Sequence, residues 1–189
     1  MPGSRALTLS LCVLALAGWN ACASWRGADR EIDALLREGR YREAAARLEQ
    51  AEPLYGERDQ LLYALERALI LHYAGDYAES NVAFERAKAL AEAAYTRSAT
   101  QELVSWALND RVRDYGGTNL ERAMIHVFAA LNYTQLDRPE AALVEVRQLD
   151  HLLKAFETDS GDTYAYGRDA FGLFLSGMLY EDAADWDAA

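Results

Sequence analysis

Cysteine is almost missing from this chain of 189 residues: there are two, Cys12 and Cys22, both within the first two dozen positions. Beyond residue 22 no disulfide, thiolate zinc site or catalytic thiol is available. Proline is equally scarce, at three, so helices meet few breakers. Basic side chains are outnumbered, 19 Lys and Arg against 30 Asp and Glu, for a net charge of −11 and an isoelectric point near 4.7. No Lys/Arg cluster offsets that excess, which argues against nucleic acid as a partner, because phosphate contacts need a basic patch.

The usual signs of catalysis are also missing. The histidines, His72, His126 and His151, lie far apart with no HExxH or similar metal spacing, so each is expected to be packed or at the surface. No GxSxG elbow occurs, and no glycine-rich loop follows a strand. Asp159 and Asp162 flank Gly161 without the dense oxygen ligands of a calcium loop. The expectation is a non-catalytic protein with neither metal nor cofactor.

What is present begins with an address. Met1 to Arg5 carries one positive charge, and Ala6 to Ala17 is an uncharged apolar run of twelve. A membrane-spanning helix takes about 20 apolar residues, so this is the core of a signal peptide. Residues 1–23 are expected to be that peptide, with two cleavage readings. Ala21-Cys22-Ala23 offers small residues for ordinary cleavage after Ala23; alternatively Cys22 is the lipid-modified first residue of a lipoprotein, although Trp19 and Asn20 match a lipobox poorly. Either way the remainder is slightly more acidic, at 18 basic against 30 acidic side chains once residues 1–21 are removed.

From Asp29 onward Ala, Leu, Glu and Arg dominate, strand-like alternation is absent, and Gly and Pro fall as punctuation, which predicts an all-α domain over 29–189. Four segments align: Gly39-Arg40-Tyr41 with Ala44, Leu48 and Ala51; Gly75-Asp76-Tyr77 with Ser80, Phe84 and Ala87; Asp137-Arg138-Pro139 with Ala142, Val146 and Leu149; and Ala184-Asp185-Trp186 with Ala189. Each predicts helix A, a tight turn, and helix B carrying a small residue where the helices approach. Upstream, Ala68 and Leu71, Ala130 and Tyr133, and Gly177 and Tyr180 occupy matching places. The pattern resembles the tetratricopeptide repeat (TPR), which implies helical hairpins wound as a right-handed superhelix.

The intervals between units are unequal, so insertions are expected. The first, about residues 93–119, is predicted to continue the preceding helix through Leu108, turn at Asn109-Asp110 and Gly116-Gly117, and open the next helix with a capping box of Thr118 and Glu121. The second, about 157–168, is predicted to be a polar loop. The chain stops about one turn into helix B of the fourth unit. Without a closing element it is expected to be a truncated product with Phe171, Phe174 and Leu175 partly uncovered.

Tyr95-Thr96-Arg97-Ser98, Asn109-Asp110, Tyr115-Gly116-Gly117, Glu121, His126, Ala130 to Tyr133 and Val144 to Arg147, with Cys22-Ala23-Ser24, resemble an uncharacterised family of bacterial repeat-containing lipoproteins. That resemblance implies the periplasmic side of the outer membrane, reached through a lipid anchor on Cys22. It brings no catalytic activity.

In TPR proteins partners lie along the inner curve lined by helices A. Carried onto this chain, the lining is Leu62, Leu65, Leu69 and His72; Met124, Val127, Leu131 and Thr134; and Phe171, Phe174, Met178 and Glu181. So apolar a groove is expected either to be filled by the insertion, through Leu103, Val104, Trp106 and Leu108, or to receive an apolar partner helix. A polar set also stands out: Arg97, Asn109, Asp110, His126, Asn132, Tyr133, Glu145 and Arg147. It is expected to pin the insertion by buried hydrogen bonds, or else to line a ligand pocket. The function expected is a protein-binding scaffold or adaptor of the bacterial cell envelope, its partners other envelope proteins or peptides. The alternative is a soluble periplasmic enzyme or ligand-binding protein with a polar site near Asn109 and His126.

Overall fold

The computed structural model describes residues 27–101, 115–160 and 170–188, without the side chains of 97–101 and 157–160. Residues 1–23, expected to be a signal peptide and including Cys22, lie outside what is described, as do Arg97's side chain, Asn109, Asp110 and Leu103, Val104, Trp106 and Leu108 of the expected first insertion. Among the described residues every regular element is helical, as composition and periodicity predict. The chain divides into two units at Gly56.

The first unit holds α1 (27–37), α2 (Tyr41–Ala51) and a single 3-10 turn, Glu52–Leu54. Ala44, Leu48 and Ala51 bury the inner stripe of α2, and Arg47 Nε reaches Glu31 Oε2 of α1 at 2.5 Å. The second unit opens with a 3-10 turn, Glu57–Asp59. It continues through α3 (Gln60–Ala74), α4 (Tyr77–Gln101), α5 (Asn119–Gln135), α6 (Pro139–Ser160) and α7 (Ala170–Asp182).

The four aligned turns share one backbone geometry. Gly39, Gly75, Asp137 and Ala184 have φ of 71°, 79°, 55° and 58°. Each donates its N–H to the carbonyl three residues back, and the next residue donates to the carbonyl five back: Leu36 and Leu35, His72 and Leu71, Thr134 and Tyr133, Glu181 and Tyr180. This is the Schellman ending, which satisfies otherwise orphaned helix carbonyls and needs a left-handed residue at its corner. Glycine takes that conformation freely in the first two turns; in the others an Asp and an Ala accept it.

Downstream of the first three turns, Ala44, Ser80 and Ala142 are fully buried, as are Leu48, Phe84 and Val146 one helical turn on. Small side chains there let the paired helices approach closely.

Within the second unit each helix packs on the next, and α5 also touches both α3 and α7. Two cores result, and α5 serves both. Ile125 and Ala129 join Leu61, Leu65 and Ala68 of α3 and Phe84, Ala87 and Ala91 of α4. Ala123, Val127 and Ala130 join Val146, Leu149, Leu153 and Phe156 of α6 and Leu175 and Tyr180 of α7. Apolar residues on two faces of α5 make both contacts possible.

The start of α5 follows its sequence signature. Thr118 Oγ1 accepts from the Glu121 N–H at 3.2 Å, and Glu121 Oε2 accepts from the Thr118 N–H at 2.7 Å. Tyr115 O–H donates to the same carboxylate at 2.6 Å. One boundary differs from expectation: α6 runs on to Ser160, so residues 157–160 are helical where a loop was predicted. Glu157-Thr158-Asp159-Ser160 contains no helix breaker, the first being Gly161.

Candidate functional site

Of the polar residues singled out in the sequence, Asn132 belongs to one buried cluster of the second unit and His126 with Glu145 to another. In the first, Asn132 of α5 is completely buried. Its Nδ2 donates to Ser80 Oγ and Asn81 Oδ1 of α4, both at 2.8 Å, and its Oδ1 lies 2.6 Å from His72 Nδ1 of α3. An amide oxygen can only accept, so Nδ1 of His72 carries the proton. Ser80 Oγ passes the chain on to the Ala68 carbonyl at 2.7 Å. The His72 ring is set edge-on against Tyr73, Tyr77 and Phe128. Asn81 Nδ2 is buried with no partner among the described residues.

The second cluster surrounds Glu145 of α6, which is 3% exposed. Lys88 Nζ of α4 donates to both its oxygens, at 2.6 and 2.8 Å, and His126 Nδ1 of α5 lies 2.8 Å from Oε2. Burial by itself pushes the Glu145 carboxyl up; hydrogen bonds from His126 and Lys88, with their charges, outweigh it and hold the group below its ordinary value. Because a carboxylate only accepts, His126 donates from Nδ1, and among the described residues its Nε2 has no hydrogen-bond partner.

The other expected members stand apart. Tyr133 is half-buried with the Arg138 guanidinium 5.2 Å from its ring. Arg147 makes a 3.8 Å exposed ion pair with Asp185. His151 is exposed on α6.

A cleft of about 350 Å³ opens beside the second cluster. Its polar lining is Lys88, Glu92, Arg122, His126 and Gln148; Ala89, Ala91, Ile125 and Leu152 form the apolar part. The Arg122 guanidinium is held over two rings, 5.2 Å from Tyr95 and 5.4 Å from Phe156. Sequence reasoning missed Lys88, Arg122 and Gln148. A weak signal was present, since Lys88 is one of only two lysines in the chain.

The expected groove residues fall into three groups. Leu65 and Val127 are core, and so belong to no partner surface. Leu62, Leu69, His72, Met124 and Leu131 are half-buried, with His72 engaged by Asn132. Phe171, Phe174 and Met178 of α7 are exposed, Phe174 at 66%, and so are Leu173 and Trp186. Leu175, expected to be partly uncovered, is buried. Helix α7 is apolar almost all round, and one of its faces, Gly172, Leu175, Ser176 and Tyr180, is spent on the second core.

Comparison with protein-family models, with curated proteins and with solved structures finds no match to this chain. Among the described residues no helix is long and apolar enough to cross a membrane, and no group of His, Cys, Asp and Glu is arranged to hold a metal ion.

Proposed function

We propose that this chain is a non-catalytic protein-binding scaffold of the bacterial cell envelope, built from TPR-like helical hairpins in a right-handed superhelix and held to the outer membrane by a lipid on Cys22. The repeat reading is supported by four identical Schellman turns and by small buried residues at the equivalent places of the first three. The contact of α5 with both α3 and α7 also fits an array in which helices A of successive hairpins are neighbours. The lipid anchor rests on the apolar run before Cys22.

The observation that carries the binding role is the exposed set Phe171, Phe174 and Met178 on α7. At i, i+3 and i+7 these residues share one helical face, and an apolar helix face of this kind docks against another apolar face. Partners would be other envelope proteins or peptides.

Photo-crosslinking from position 174 in the native envelope tests this directly. A discrete crosslinked protein that disappears in Met178→Glu, with the helical signal retained, is the expected result. Equal crosslinking from position 174 and from exposed Arg37 overturns the reading. Cys22→Ser tests the anchor: the variant should leave the membrane fraction, and one that stays there with unchanged mobility refutes lipidation.

A further inference from the structure

The cleft between α4, α5 and α6 contains a cation, Arg122, that forms no ion pair among the described residues, although Glu92 lines the same cleft. Arg122 sits over the Tyr95 and Phe156 rings, and among the described residues no carboxylate lies within ion-pair distance of it. Its N–H groups lie in the guanidinium plane, so ring contacts leave them available, and their fork matches a carboxylate. Lys88 adds no free donor, because Glu145 and Glu85 occupy its three N–H groups. Glu145 also cancels its charge. His126, however, has its Nδ1 fixed by Glu145 and lines the cleft with a second ring nitrogen left over.

The remaining lining decides the rest of the ligand. Gln148 supplies an amide, while Ile125 and Leu152 supply apolar surface. A volume of about 350 Å³ falls at the small end of ligand pockets, which span about 300–1,000 Å³. We propose that this cleft binds a small organic carboxylate, with Arg122 holding the carboxylate group and Ile125 and Leu152 covering a short apolar body. A bare inorganic anion would leave the apolar lining unused. The inference is independent of the scaffold reading, since neither α7 nor a lipid anchor enters it.

The test is calorimetric titration of the full chain with N-acetyl-leucine, N-acetyl-leucinamide and inorganic phosphate. The acid is expected to saturate, with the amide and phosphate at least about tenfold weaker, as loss of a charge-assisted hydrogen bond implies. Arg122→Gln should lose acid binding by a similar factor, while Arg86→Gln, on an exposed arginine near Tyr63, should bind as the parent does. Equal binding of acid and amide, phosphate as tight as the acid, or no saturable binding overturns the proposal. Should Arg122→Gln not fold, the comparison of acid with amide on the unaltered chain decides alone.

Discussion

His72 on α3 and Asn132 on α5, sixty residues apart in sequence, meet in a 2.6 Å hydrogen bond. Through Asn132 the contact extends to Ser80 and Asn81 on α4, so one side-chain amide joins three helices. A buried polar chain of this kind has only one register in which its groups are satisfied, whereas the Ala and Leu contacts around it tolerate sliding. It therefore fixes how α5 sits on the preceding hairpin.

Asn132→Leu, close in volume, tests that role. It strands the His72 ring N–H and removes the donor to Asn81, and each unpaired buried group costs about 1–3 kcal/mol. A loss of about 3 kcal/mol is expected, read as a lower urea midpoint with an unchanged slope. Asn132→Asp keeps the acceptor for His72 but loses both donors, and should also be destabilised. Wild-type stability in the Leu variant would show the amide to be dispensable.

Glu145 links the fold to pH. Its folded carboxyl lies below its ordinary value because His126 and Lys88 bond the charged form more strongly than burial penalises it. The unfolded chain therefore takes up the proton first as pH falls. The stabilisation is complete above the unfolded value and fades as pH drops through the folded one. Urea midpoints across that acid range should fall steeply for the parent and more gently for Glu145→Gln. At neutral pH Glu145→Ala leaves Lys88 and His126 facing an empty site, and a cost of about 3–5 kcal/mol is expected for breaking a buried pair.

These two clusters mark where sequence reasoning stops. Spacing alone identifies faces, so Ala44, Ser80 and Ala142 could be read as close-approach positions, and Thr118 with Glu121 as a cap. It also finds the corners of the turns, even where Asp137 and Ala184 replace glycine, because the register of the neighbouring residues is kept. Pairing across helices leaves no such trace. Lys88 and Glu145 are 57 residues apart, and nothing in either local pattern names the other. Leu65 and Val127 were placed on a partner face for a related reason: α3 and α5 are apolar on more than one side, and periodicity does not say which side meets a neighbour.

Tyr115 and Tyr180 should ionise later than a free tyrosine. Burial, followed by hydrogen bonds to Glu121 and Asp150 respectively, pushes both up to about 12. Stability held by the neutral phenols is thus present below the ordinary value of 10 and lost as pH rises through about 12. An absorbance titration of tyrosinate should show a late component that shrinks in Tyr115→Phe and again in Tyr180→Phe. Thr118→Ala removes the cap that shares Glu121 and should cost about 1 kcal/mol.

Ser176 offers a substitution expected to stabilise. Its hydroxyl is buried on α7 with no hydrogen-bond partner among the described residues, and such a group carries a desolvation cost of about 1–3 kcal/mol. Ser176→Ala removes the orphan and improves helix propensity, so the urea midpoint should rise. A fall would mean that the hydroxyl has a partner.

The last two turns give the sharpest test of the shared geometry. If all four corners need the left-handed conformation, Asp137 and Ala184 hold it at a cost that glycine avoids. An L-residue pays about 1–2 kcal/mol there, less for Asp, whose short polar side chain tolerates the region. Part of any gain is offset because glycine loses more entropy on folding. Ala184→Gly should therefore stabilise by about 0.5–1 kcal/mol and Asp137→Gly by less. Gly75→Ala, the reverse change at an equivalent corner with φ of 79°, should destabilise by about 1 kcal/mol. Thermal melts of the three variants check the order. If Ala184→Gly melts lower than the parent, the fourth turn does not share the geometry of the second.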